Sequence, residues 1–343
     1  MILLAPRLRR PRWYVDDMHE LFIGLVGALI ATNQPLAVSN LIQQHTGVSV
    51  AMVNPDDPAE QELQKLMAED EAALDEVDRW IRDNNTFAAQ GAGETRADLN
   101  RRIRERVDAV RKGYEDLLRR YPDFARGHLA YGSFLTDLGD ETAGYAQYEI
   151  AVRLDPKNPA AWNQIANYCG EHGPITNAFI SYARAIELNP LEPVYYQNLA
   201  TTVYLFRRDA TAFYGLTEPE VFDKALALYR KAMQLAPDNF LLATDYAETY
   251  YGIRPLRTNE ALAAWTNALR IARDDNERQG VNIHLARIKI VVGRLDEGRA
   301  HLNLVTNPYY ADTRKRLERL ATEHEGAATN LAAESPSPGQ SGP

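Results

Sequence analysis

Four prolines, Pro122, Pro156, Pro190 and Pro237, divide the chain at steps of 34, 34 and 47 residues, the last being the same step with 13 residues inserted. A fixed period in the range of roughly 20 to 50 residues marks stacked repeats, in which each unit buries its apolar face on the next instead of in one closed core. The period therefore limits the fold before any single motif is considered.

Aligning the units on these prolines brings further columns into register. A small residue recurs in the first half of each unit at Gly132, Ala166, Ala200, Ala247 and Ala286. A large one precedes it, at Tyr131, Ile165, Leu199, Tyr246 and Leu285. In the second half, Gly144, Ala178, Ala225, Ala261 and Gly298 are small, and Tyr148, Tyr182, Tyr229, Trp265 and Leu302 follow four residues later. Three residues on, Ala151, Ala185, Ala232 and Ala268 are small again, with Val305 the exception. Spacings of three and four place each set on one helical stripe. Small residues let two helices approach closely while large ones fill the grooves beside the contact. The pattern predicts a helix–turn–helix unit repeated about five times.

The unit boundaries carry their own chemistry. Leu154-Asp155-Pro156, Leu188-Asn189-Pro190 and Leu235-Ala236-Pro237 end the second helices, because proline lacks an N–H and disfavours helical geometry in the residue before it. Asn158 before Pro159 reads as an N-cap and first helical position, and Asp238 as the cap of the fourth unit.

These units resemble tetratricopeptide repeats, whose pattern places Trp, Leu, Gly and Tyr in the first helix and Ala, Phe and Pro after them. The second unit matches best, with Trp162, Ile165, Ala166, Cys169, Ala178, Tyr182, Ala185 and Pro190. The resemblance covers residues 125–306 and implies an all-α fold, a right-handed superhelical α-solenoid of paired helices. The last unit departs furthest, with Lys289 where a core aromatic is expected.

Outside the repeats, residues 58–120 form an N-terminal helical extension. An acidic helix over 58–84 carries the apolar stripe Leu63, Leu66, Leu74, Val77 and Ile81. A turn-like break follows at 86–93, then a basic helix with Arg101, Arg102, Arg104, Arg106, Arg111 and Lys112. Opposite charge and a short connection suggest an antiparallel pair; the plain alternative is two solvated charged faces. Residues 309–324 read as a capping helix, and 327–343 as a disordered tail with little to bury. Residues 1–31 end in the apolar run Leu21–Ala31, 11 residues long and too short for a span of about 20. It fits the apolar core of an export signal with Ala31 as the cleavage position, which would place the protein in the periplasm or cell envelope. Asp16, Asp17 and Glu20 fit that poorly, and a buried helix in a cytoplasmic protein is the alternative.

A net charge of −9 argues against a nucleic-acid partner, which needs a basic face. Cys169 is the sole cysteine, so no internal disulfide forms, and its column makes it a buried small hydrophobe. Spacing along the chain gives none of the seven histidines a metal-ligand partner. No glycine-rich phosphate loop or nucleophile elbow occurs. No cofactor, no metal and no catalytic residue is expected, and any membrane association would run through the N-terminal apolar segment.

In the resembled family a second stripe on each first helix lines the concave groove. Here it holds Asn163 and Asn167, then Gln197, Thr201 and Tyr204, then Thr244, Glu248 and Tyr251. Amides, hydroxyls and tyrosine rings suit the backbone of an extended peptide; alternatively these groups simply face water. The family's carboxylate clamp is not reproduced, because Asn163 and Gln197 replace lysines, Thr201 replaces arginine and only Asn167 fits. The insertion at 207–219 reads as a loop, and Phe213, Tyr214 and Leu216 in it are apolar enough either to fold back or to form a contact surface. The expected function is a non-catalytic scaffold binding a partner peptide or helix. The rival is an accessory subunit of an enzyme complex, or an enzyme using the N-terminal region.

Overall fold

The computed structural model describes residue 54 and residues 56–334, with side chains to residue 326. Residues 1–31, with the apolar run, lie outside the described residues. Among the described residues there are fourteen α-helices and no strand. They fall into two compact units, one ending at Leu191 and the other beginning at Glu192.

The N-terminal unit holds α1 (Pro58–Ala88), α2 (Arg96–Arg120), α3 (Ala125–Asp137), α4 (Glu141–Leu154), α5 (Pro159–His172) and α6 (Ile175–Leu188). Asp57 caps α1 and Thr95 caps α2. The two helices pack antiparallel, burying Leu63, Ala73 and Val77 against Val107, Val110, Tyr114 and Leu117. Each such large side chain is worth roughly 1.5–3 kcal/mol on burial. Ion pairs sit along the edge of this seam: Arg106 to Glu76 at 2.6 Å and to Glu69 at 2.9 Å, and Arg120 to Glu62. Tyr114 then stacks on Tyr131 and packs on Phe134, which joins the hairpin to α3. α1 runs four residues beyond the expected 84, because no proline or glycine interrupts the chain before Gly91.

The pairs α3/α4 and α5/α6 are helix–turn–helix units, and their close approach has a sequence cause. A Cβ added to Gly144 would lie 2.8 Å from the Gly132 carbonyl oxygen, and one added to Gly132 would lie 2.6 Å from the Tyr148 ring. Only glycine fits this crossing. In the next pair Ala166, Ala178 and Ala185 are fully buried at the equivalent places. Asn158 caps α5 through Ala160 and Ala161 N–H groups, ahead of Pro159. α4 and α6 end at Leu154 and Leu188, where the proline phrases place the stops.

The C-terminal unit holds α7 (Pro193–Leu205), α8 (Arg207–Tyr214), α9 (Glu218–Leu235), α10 (Phe240–Thr249), α11 (Thr258–Ile271), α12 (Asp275–Val291), α13 (Leu295–Asn303) and α14 (Ala311–Glu334). α7 pairs with α9, α10 with α11, and α12 with α13, with Ala200, Ala225, Ala247, Ala261 and Ala286 fully buried at the crossings. Lys289, at its expected apolar place, resolves its charge on Glu297 at 3.0 Å.

Three local expectations are corrected. The segment 207–219 is not a loop: it contains α8, which ends at Gly215 in the left-handed conformation (φ +66°). No proline breaks the run before that, and Ala210 anchors it, fully buried. The cap of α10 is Asn239, accepting from Leu242 N–H at 3.0 Å, and not Asp238. The last helix continues past residue 327 to Glu334, because its alanines favour helix and the first proline comes at Pro336.

Candidate interaction surface

The large residue of each second helix is a tyrosine in three repeats, and a buried tyrosine hydroxyl needs a partner. The first helix of the same repeat supplies it each time. Thr136 Oγ1 lies 3.1 Å from the Tyr148 hydroxyl, Asn167 Oδ1 accepts from Tyr182 at 2.8 Å, and Thr201 Oγ1 lies 2.8 Å from the Tyr229 hydroxyl. A helix pair crossed on small residues recurs through both units, and in three of the repeats this hydroxyl bond ties the two helices. These are tetratricopeptide repeats.

No protein-family model matches the chain. Over 107 residues it is 32% identical to the photosystem I assembly protein Ycf3 of Cyanophora paradoxa, a match covering 30% of this chain and 61% of that protein. The chain thus spans less than two thirds of that relative's length. Among solved structures, it is similar to the C-terminal part of a TPR repeat-containing protein from Cytophaga hutchinsonii (16% identity, 74% of this chain, 98% of that one, TM-score 0.48). It is also similar to PilF of Pseudomonas aeruginosa (13% identity, 76% and 99% covered, TM-score 0.45). YrrB, described as a TPR protein with an unusual peptide-binding site, is 12% identical over 62% of this chain and 97% of its own, with a TM-score of 0.45.

The stripe residues of these tetratricopeptide repeats are mostly engaged within the fold. In the N-terminal unit Asn163 is buried, and Asn167 both accepts from Tyr182 and donates to Gln164 at 2.8 Å. In the C-terminal unit Gln197 donates to Asp245 at 2.7 Å, and Thr244 donates to the Leu241 carbonyl. Tyr204 packs on Phe222, with its hydroxyl end close against Gly252. The Tyr251 hydroxyl lies 3.0 Å from His284 Nδ1, its ring lies under Arg287, and burial pushes its ionisation upward. His284 stacks on Trp265 with ring centroids 4.0 Å apart; burial, and then the Arg287 charge, hold its imidazole down at about 4, so it is neutral near pH 7.

Glu248 breaks this pattern. It occupies the place that Asn167 and Thr201 hold in the two preceding repeats, but its repeat has Trp265 in the tyrosine column. Among the described residues, the Trp265 Nε1 is buried without a hydrogen-bond partner, and the exposed Glu248 makes no side-chain hydrogen bond. Desolvation by its surroundings, and then the charge of Asp245, push its carboxyl above the usual range. A cationic group beside the Glu248 carboxylate would offset the Asp245 charge.

Of the insertion residues, Phe213 is 40% exposed, while Tyr214 and Leu216 are half-buried. Lys224 lies over the Tyr214 ring at 4.2 Å, and burial raises the phenol to about 12. Leu205 and Phe206, just before α8, are also exposed. In the N-terminal unit a hollow of about 400 Å³ is walled by Tyr145, Val152, Trp162, Ile165, Cys169 and Ile180. Cys169 is buried in its wall, and desolvation raises its thiol.

Two further groupings concern histidine. His128 is satisfied on both sides, by Gln147 at 2.7 Å and the Pro122 carbonyl at 2.9 Å, which makes it a packing residue. His172 meets Glu141 and Glu171 across two repeats, a set that spacing along the chain does not reveal because Glu141 belongs to the preceding repeat. Among the described residues no helix is long and apolar enough to cross a membrane.

Proposed function

We propose that this protein is a non-catalytic scaffold that holds a basic, extended or helical segment of a protein partner at the first-helix stripe of its C-terminal unit. The observation that carries this reading is Glu248, an exposed carboxylate without a hydrogen bond in a stripe whose other polar groups are largely occupied. Asp245 beside it and the net charge of −9 favour a cationic guest. Tyr204 and Tyr251 offer rigid aromatic area at low entropy cost. Phe213 on α8 supplies a second, apolar contact. The likeness to an assembly protein supports a role in holding components together during assembly of a larger complex.

Glu248→Lys is expected to abolish retention of the partner in affinity purification while leaving the thermal midpoint within about 2 °C, as surface changes usually do. Retention unchanged by this reversal contradicts the groove assignment. Export to the cell envelope is part of the same proposal and rests on the run Leu21–Ala31. Sequencing the mature N-terminus tests it: a start just after Ala31 supports export, and an intact N-terminus contradicts it.

A further inference from the structure

The first turn of α4 and the last turn of α5 bring three metal-binding side chains together in the N-terminal unit. One carboxylate oxygen each from Glu141 and Glu171 and one ring nitrogen of His172 lie within 4.8 Å of one another. Glu141 opens α4, and Glu171 and His172 close α5, so stacking of adjacent repeats assembles the set. The imidazole is positioned before any ligand arrives. It stacks on Tyr168 with centroids 4.4 Å apart, and Tyr168 stacks on Tyr145 at 4.2 Å.

The hydrogen bonding of the ring decides which nitrogen is available. His172 Nδ1 lies 3.2 Å from the Tyr168 carbonyl oxygen. A carbonyl only accepts, so Nδ1 carries a hydrogen, and Nε2 is the nitrogen turned to Glu141 Oε2 at 3.1 Å. In a neutral ring that contact sets one lone pair against another. It becomes favourable only with a positive centre between them, either a proton or a metal ion. A carbonyl acceptor on the far nitrogen is also the outer-shell arrangement that orients metal-binding imidazoles. The Glu141 side chain is only 15% exposed and His172 is 41% exposed, so the set is shielded on one side and open for entry on the other.

We propose that Glu141, Glu171 and His172 bind a divalent transition-metal ion, zinc foremost, which ties the α3/α4 repeat to the α5/α6 repeat. One imidazole and two carboxylates are a donor set that zinc accepts, with water completing the tetrahedron. Two carboxylates beside a neutral imidazole balance the ion's charge. Magnesium and calcium favour all-oxygen shells and fit an imidazole poorly. This inference stands apart from the groove reading and uses none of its residues.

The test is zinc titration of the metal-stripped full-length chain at pH 7 against a chromophoric chelator, with thermal melting alongside. One equivalent of zinc is expected to bind and to raise the melting midpoint. His172→Ala and Glu141→Gln should each weaken binding by at least about tenfold, the loss that even outer-shell changes bring. Both variants should keep the parent's helical circular dichroism, because neither side chain lies in a core cluster. Magnesium should produce no shift. Absence of zinc binding overturns the proposal. Binding untouched by His172→Ala, or an equal shift with magnesium, overturns it as well.

Discussion

At Asp70 the Tyr114 hydroxyl donates to one carboxylate oxygen at 3.1 Å, while the other oxygen is buried with no partner. Burial is the main cause that raises this carboxyl to about 7, and the charges of Asp137 and Glu71 add to it. The folded chain therefore holds this proton more tightly than the unfolded chain does. The Asp70 contribution to stability is complete below the ordinary carboxylate range and is lost as pH rises through about 7. Its size is on the order of 4 kcal/mol. Urea unfolding of Asp70→Asn between pH 4.5 and 8.5 should show a flatter dependence than the parent, and parallel curves would refute this account. Two glycines offer a second residue-scale contrast. Gly144→Ala meets the Gly132 carbonyl and should cost roughly 1–3 kcal/mol, whereas Gly170→Ala, in the last turn of α5, meets nothing within 4 Å and should stabilise by at most about 0.5 kcal/mol. Equal melting of the two variants would remove the crossing argument.

Helices assemble here through seams of different strength. The α1–α2 seam has an apolar core edged by Arg106 and Arg120 ion pairs, and exposed pairs are worth only about 0–1 kcal/mol each. Reversing both arginines to glutamate should hasten limited proteolysis within residues 58–95 without unfolding the repeats; an unchanged cleavage rate would show that the apolar seam alone suffices. The repeat helices were legible in the sequence because a tight crossing demands small residues at fixed offsets, and Ala166, Ala200 and Ala247 stand at those offsets. α8 was not. Its eight residues have no heptad-scale pattern, and only the burial of Ala210, a tertiary fact, fixes it as helix. The cap of α10 fell one residue from its expected place, a shift that depends on where the chain leaves Pro237 and not on the cap's chemistry.

For the molecule as a whole, the sequence revealed the stripe but not how it is used. Three tyrosines in one column already implied three buried hydroxyls, and the polar residues opposite them were their partners before they were candidates for a ligand. Glu248 could have been singled out from the change of tyrosine to Trp265, which takes away the hydroxyl that would have occupied it. Glu141 and His172 could not, because repeats must stack before they meet. The surface around Glu248 is the proposed recruitment site for a protein partner. A photo-crosslinking amino acid placed at position 248, at position 213, and at the exposed control Arg230 on α9 tests it directly. One partner should be captured from positions 248 and 213 and not from 230. Capture only from 230, or from none of the three in cells that contain the partner retained by affinity purification, would contradict it.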